Sequence, residues 1–297
     1  MQTPDASPRL LGIDWGTSNR RAYLIGPTGR CLASRADDQG MLAVRPRFEA
    51  SLVALQAAMG VSGDAPVIAS GMVGSAQGWR EVPYLDTSVP LEELPQHLSR
   101  LGQRRAIVPG YRQRSPAVDV MRGEETQLLG MVTLGRRDGW IVLPGTHSKW
   151  VLLRDGVIQR LSTFMTGELF AMLCAQGTLA PMMAGPDSEQ AFAAGVAEAR
   201  RATPLSNALF GVRARVVSGA MPASAARSFL SGLLIGIEFH AALALLDGAA
   251  STSAPLACIA SPTLQQRYAS AAAQFGLTLN PYDPDQVYCA ALARFFE

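Results

Sequence analysis

From Leu10 the chain sets short apolar runs against glycine-bearing polar breaks: LLGIDWGTS, then RRAYLIGPTGR, then CLASRAD. Apolar runs this short, bounded by turn-forming residues, predict strands, and Pro27-Thr28-Gly29 supplies the turn between the second and third. A β-meander therefore opens the chain. The spacing of Phe48, Leu52, Leu55 and Met59 predicts a helix that ends at Gly60, a residue suited to a left-handed cap. APVIASGMVG predicts a buried strand running into a glycine-rich loop, Leu91 to Leu101 a short helix, and RRAIVPGYR another strand.

The second half repeats this grammar. GWIVLPGTHSKWVLL predicts two strands around a glycine turn, Arg154-Asp155-Gly156 a second turn, and VIQRLSTFMTG a third strand; helical segments follow, then the strand APLACIASP and a helix from Leu264 to Phe275. Two halves with one element order predict a duplicated α/β architecture. The boundary is placed in LGRRDG, Leu134 to Asp138. That makes residues 1–9 a loose tail, 10–136 the first domain and 137–297 the second. Ala223 to Leu246 predicts one long apolar helix carrying Gly232 and Gly236 on one face, where a neighbouring backbone or a ligand can come close.

Composition narrows the function classes. Among 297 residues, 26 Lys+Arg stand against 24 Asp+Glu, with no basic stripe, which argues against nucleic acid as a partner. The four cysteines form no CxxC pair and there are three histidines, so neither a disulfide framework nor a zinc site is expected. Residues 1–9 lack the apolar run of a secretory signal, and Leu230 to Leu246 is interrupted by Glu238 and His240, short of a membrane span. The expectation is a soluble, cytoplasmic protein that engages no membrane. A homodimer is allowed, although no apolar patch marks its interface.

Candidate chemistry concentrates in two loops. Asp14 ends a buried strand and is followed by Gly16, Thr17 and Ser18. A carboxylate there can hold hydrated Mg²⁺ while backbone N–H groups face phosphate oxygens; the alternative is a plain hairpin with a solvent-facing Asp. LPGTHSKW repeats the device with Gly145, Thr146, His147, Ser148 and Lys149. Two such hairpins can grip a triphosphate from two sides, although His147 can also serve packing and Lys149 solvation.

The ordered set DWGTSN, ASGMVGSAQGWREVPY, MRGEETQLLG, LPGTHSKW, FMTGELFA and SGLLIGIE resembles the 2-dehydro-3-deoxygalactonokinase family of the sugar kinase and actin-like ATPase superfamily. The resemblance implies two ribonuclease H-like domains with the active site in the cleft between them. It implies ATP and Mg²⁺ as cofactors and phosphoryl transfer to the terminal hydroxyl of a six-carbon 2-keto-3-deoxy sugar acid. Asp14 would be the metal-linked carboxylate, Gly16, Thr17 and Ser18 the first phosphate loop, and Gly145, Thr146 and Ser148 the second, with His147 and Lys149 beside it. Gly232, Gly236 and Ser261 would lie at the nucleotide, with Ala260 standing where the superfamily usually has glycine.

Arg122-Gly123-Glu124-Glu125 resembles the Glu-Glu segment of exopolyphosphatases, which implies Glu125 as general base, with Glu124, Asp119 and Asp14 as rivals. Two acids at a helix start also simply complement its dipole. The Ser70–Glu81 loop is expected to select substrate through Met72, Gln77, Trp79 and Glu81. Arg21, Arg80 or Arg122 would then pair with the acceptor carboxylate, or Trp79 packs the loop. A phosphohydrolase of exopolyphosphatase type and a nonenzymatic sugar-acid sensor or actin-like assembly protein are the competing functions.

Overall fold

The computed structural model describes residues 10–246 and 255–295. They fall into two compact units: the first runs to Asp138 and also takes Leu152–Leu161 and the chain from Asp283; the second is Gly139–Val151 with Ser162–Tyr282.

In the first unit β1 (Leu10–Trp15), β2 (Arg20–Ile25) and β3 (Cys31–Asp37) form the expected antiparallel meander, and β4 (Val67–Ser70) lies parallel to β1. Between β3 and β4 stand α1 (Met41–Val44) and α2 (Phe48–Ala58). The helical stripe of α2 buries Phe48, Leu52 and Leu55 against Ile13, Trp15 and Val67 of the sheet, as its apolar spacing requires. Leu91 to Leu101 departs from expectation: Pro95 lacks the N–H an α-helix needs, so Leu91–His97 is a 3₁₀ segment. Near it lie β5 (Leu85–Asp86) and β6 (Ser99–Arg100). The run RRAIVPGYR breaks at Pro109-Gly110 into β7 (Arg105–Ile107) and β8 (Tyr111–Gln113). The main sheet has the order β3-β2-β1-β4-β7-β6, and β5, β8 and β9 (Asp119–Met121) make a small second sheet ahead of α3 (Glu124–Thr133).

The second unit holds β10 (Gly139–Leu143), β11 (Ser148–Arg154), β12 (Val157–Phe164), α4 (Thr166–Ala175), α5 (Glu189–Ala199), α6 (Leu205–Val217) and α7 (Ala223–Leu246). These are followed by β13 (Leu256–Ile259), α8 (Pro262–Gln274) and β14 (Leu279–Tyr282). The distal part of the β11–β12 hairpin, Leu152–Leu161, groups with the first unit. The sheet order β12-β11-β10-β13-β14 repeats β3-β2-β1-β4-β7, with the fourth strand parallel to the first and the fifth parallel to the fourth in both. The duplication read from element order is thus present in the topology.

Two expectations change. Residues after Asp283 do not stay with the second unit: α9 (Pro284–Arg294) packs on the first, where a Cβ at Gly12 in β1 would overlap the Leu292 side chain. A central strand without a side chain at that point lets the helix lie directly on the sheet. Gly232 and Gly236, expected at the nucleotide, let a neighbouring helix come close within the second unit. A Cβ at Gly232 would overlap the carbonyl oxygen of Phe192 in α5, and one at Gly236 would stand 2.6 Å from the Ala199 Cβ. α7 is long and apolar enough to cross a membrane by composition, yet most of it is buried in this unit.

Candidate active site

In the first unit Asp14 sits near the carboxyl end of β1, with Arg21 opposite it on β2 and Ser70 on β4. β1 and β4 are parallel, so both run out at the same edge, the position where open α/β sheets bind ligands. Burial pushes the Asp14 carboxyl up to about 6; Arg21 works against this, and Glu124 and Asp285 reinforce it. The loop after Asp14 is held from behind, because the Gly16 and Thr17 carbonyls accept the N–H groups of Met41 and Leu42 at 2.8 and 3.1 Å. Thr17 and Ser18 remain exposed.

Two glycine turns close on Asp14. Gly71, at φ 89°, and Gly123, at φ 116°, both adopt a backbone conformation that other residues rarely hold. A Cβ on Gly71 would lie 3.4 Å from Asp14 Oδ1, and one on Gly123 would lie 3.3 Å from the Gly71 Cα. The start of α3 is therefore brought beside Asp14. Glu125 has no exposed surface, and both its oxygens accept the Gly123 N–H, at 2.9 and 2.7 Å. Burial, with help from Glu124, drives its pKa up to about 8, so near neutral pH it tends to keep its proton. Glu124 is half-buried and accepts the Arg122 N–H at 3.1 Å. Asp119 lies on β9 and accepts the N–H of Val120.

The three arginines differ. Arg21 is exposed beside Asp14, and Arg80 donates to the Arg100 carbonyl at 2.9 Å. Arg122 spends one nitrogen on the Val82 carbonyl, at 2.7 Å, and lies 4.2 Å over the Tyr84 ring. Its Nε and Nη1 are buried without a hydrogen-bond partner. Unpaired guanidinium donors are costly, and an anion is what such a group accepts. Met72 opens the 3₁₀ turn Met72–Gly74 and is partly buried on the core; Gln77 and Glu81 are exposed. Trp79 stacks on Phe48, with ring centroids 6.0 Å apart, and meets Trp15 edge-on. Its ring is largely committed to packing, the alternative raised from the sequence.

In the second unit Gly145, Thr146 and His147 form the exposed tip between β10 and β11, whereas Ser148 and Lys149 are buried. The Ser148 hydroxyl is directed inward, donating to Glu238 at 2.7 Å. The start of α4 lies against the tip: Glu168 donates its N–H to the Thr146 carbonyl at 2.9 Å, and its carboxylate meets His147 Nε2. A Cβ at Gly167 would overlap the Gly145 carbonyl oxygen. Ser261 is exposed at the N-cap of α8. Beside that helix is a cavity of about 330 Å³ lined by Ser188, Phe192, Ser228, Gln266 and Arg267, among others.

A family profile of 2-keto-3-deoxy-galactonokinase matches residues 14–295. The chain belongs to that family. It is 37% identical over 292 residues to a probable 2-dehydro-3-deoxygalactonokinase of Rhizobium meliloti, covering 95% of this chain and 94% of that one. To the 2-dehydro-3-deoxygalactonokinase of Escherichia coli it is 33% identical over 286 residues, covering 96% of each. A crystal structure of a Sinorhizobium meliloti protein given the same designation superposes with a TM-score of 0.88 at 36% identity, over 97% of this chain and 95% of that one. At 10% identity and a TM-score of 0.54, the fold is also that of a Clostridium difficile activator of 2-hydroxyisocaproyl-CoA dehydratase, solved with ADPNP.

Three residues now prominent were missed from the sequence as site residues. Tyr288 of α9 shares a 2.7 Å hydrogen bond with Ser70, close enough to Asp14 for the carboxylate to help raise its pKa. Nothing local marks it. Glu168 stands in FMTGELFA, a motif noted without a role. Glu238 did leave a signal, as a carboxylate inside an apolar helical run.

Proposed function

We propose that the protein is an ATP-dependent kinase that phosphorylates 2-dehydro-3-deoxy-D-galactonate on its 6-hydroxyl. The observation that carries this reading, beside family membership, is that Asp14 and the unpaired guanidinium donors of Arg122 lie along one glycine-built edge of the first unit. One group suits a metal-bound phosphate and the other a sugar-acid carboxylate.

Asp14 suits Mg²⁺, a hard cation that takes one or two carboxylates and completes its shell with phosphate oxygens and water. Among the described residues no group of three His, Cys, Asp or Glu could hold a metal unaided. Bound Mg²⁺ would neutralise charge on the transferring phosphoryl group. Arg122 pairs with the substrate carboxylate through Nε and Nη1, and Gln77 and Glu81 read hydroxyls. On the first unit the backbone N–H groups of Thr17 and Ser18 are offered to phosphate oxygens, the Gly16 N–H being held by the Asn19 carbonyl; on the second unit those of Gly145–His147 serve the same purpose, and the cavity beside α8 takes the nucleoside. Phosphoryl transfer asks mostly for positioning and charge stabilisation, with a modest contribution from a base.

The base is assigned to the start of α3. Glu125 is turned onto Gly123 and protonated near neutrality, so it fixes the turn; Glu124, half-buried and in electrostatic contact with Asp14, takes the hydroxyl proton. Asp14 remains the metal-side carboxylate.

The test is a coupled assay of ADP formation across a panel of 2-keto-3-deoxy sugar acids, with phosphorus NMR to locate the new ester. The reading predicts ADP and sugar-acid phosphate in equal amounts, abolished by EDTA. ADP release without a sugar acid would instead identify a phosphohydrolase, and nucleotide binding without turnover a sensor.

A further inference from the structure

The middle of α7 carries a carboxylate that the proposed chemistry does not use. Glu238 is 1% exposed, and among the described residues its oxygens receive four side-chain donors. Ser148 Oγ and Trp150 Nε1 donate to Oε1 at 2.7 and 2.8 Å. Thr166 Oγ1 and the Tyr268 hydroxyl donate to Oε2, the latter at 2.9 Å, and Tyr268 also reaches Ser148 Oγ at 3.2 Å. All five side chains belong to the second unit.

The donors come from places that matter. Ser148 is the residue by which the exposed Gly145–His147 tip rejoins β11, and Trp150, two positions on, shares its strand face. Thr166 is the first residue of α4, whose next residue abuts the Gly145 carbonyl. Tyr268 lies in α8, the helix that Ser261 caps. One carboxylate therefore fastens the loop exit, the helix start packed under the loop, and the helix beside the cavity. Burying a carboxylate is expensive, and apolar residues of similar size would commonly fill a core at equal or lower cost. The network makes sense if it fixes geometry.

We propose that Glu238 is a positioning residue for nucleotide binding: through Ser148, Thr166 and Tyr268 it holds the Gly145–His147 loop and the start of α4 in the arrangement that receives the phosphates. This rests on the kinase reading. Glu238 does not touch nucleotide itself. Loss of the network releases the loop and weakens nucleotide affinity, while the sugar-acid site, built on the first unit, keeps its own constants.

The experiment is calorimetric titration of the full-length protein with the magnesium complex of a nonhydrolysable ATP analogue, combined with KM values for ATP and sugar acid. Glu238→Leu deletes all four acceptor contacts, and Glu238→Gln keeps the shape, with an amide whose NH₂ can donate to the Thr166 and Tyr268 hydroxyls once these rotate. Leu should raise the analogue Kd and the ATP KM by about tenfold or more, the scale of losing hydrogen bonds to a charged group. Gln should restore both to within about threefold by the same scale, and sugar-acid KM should hold throughout. Ser148→Ala and Thr166→Val together, a gentler change, carry the test if the Leu variant does not fold. Unchanged analogue affinity in folded variants, or equal losses for both substrates, overturns the positioning role and leaves the kinase reading intact. Wild-type protein that binds no analogue overturns both.

Discussion

Replacing Glu125 by Gln separates the two roles open to this residue. The native state holds the Glu125 proton up to about pH 8, whereas an ordinary glutamate releases it near 4.5. Across that window the native state binds more protons than the unfolded chain, so the contribution of this group to stability falls as pH rises. At ~1.4 kcal/mol per pH unit the whole window corresponds to at most about 4 to 5 kcal/mol. The Gly123 N–H contacts are already counted in the value of about 8, so between pH 5.5 and 8 the same rate gives about 3 kcal/mol. Gln keeps a carbonyl oxygen for the Gly123 N–H and does not titrate. Urea unfolding followed by circular dichroism between pH 5.5 and 8.5 should therefore show the variant gaining on wild type by about 3 kcal/mol as pH rises. Parallel stability curves would refute the buried, proton-holding state. In the coupled assay Glu125→Gln should cost less than about tenfold in kcat, while Glu124→Gln should cost about 10²- to 10⁴-fold. The reverse order would return the role of base to Glu125.

Asp14→Asn should fold normally and lose at least about 10²-fold in turnover. The acid limb of the wild-type kcat/KM profile should fall below about pH 6 as the Asp14 carboxylate takes up a proton, and a limb well below that, or an active Asn variant, would remove Asp14 from the metal. Arg122→Met should raise sugar-acid KM by about tenfold or more while ATP KM holds; equal changes in both would point to a structural arginine. Gly232→Ala should destabilise by about 1 to 3 kcal/mol, because overlap with the Phe192 carbonyl outweighs the better helix propensity of alanine, and an altered nucleotide Kd in the folded variant would revive a cofactor role. Trp79→Ala should lower the unfolding free energy by about 3 kcal/mol, as expected for a stacked aromatic, and a selective rise in sugar-acid KM without loss of stability would mark Trp79 as a substrate contact.

The parts legible in the sequence were those with local causes. The meanders, the glycine hairpins and the α2 stripe follow from alternation, turn residues and helical spacing within a few positions, so their places emerged before any coordinates. Glycines four apart on α7 were also visible, but the same pattern serves a ligand and a neighbouring helix equally, and the close approach of α5 depends on a residue about 40 positions away. Glu125 was legible as a carboxylate at a helix start and not as one turned onto Gly123, since that depends on a positive φ. Tyr288 was invisible because its partner, Ser70, stands 218 positions away. The broken strand at Pro109-Gly110 carried a plain local signal that the longer apolar run outweighed.

The return of α9 to the first unit has a consequence for the order of events during synthesis. Domains generally fold as units, the N-terminal ones first as the chain emerges. Here Gly12 lies in β1, and Leu292, the side chain that covers it, is added only after the whole second unit has been translated. A nascent first unit would therefore present an uncovered strip of its central sheet until α9 has been made. An independently folding first half would need α9 supplied by a designed connection from residue 138, and a protein cut at that junction should be recovered as aggregate.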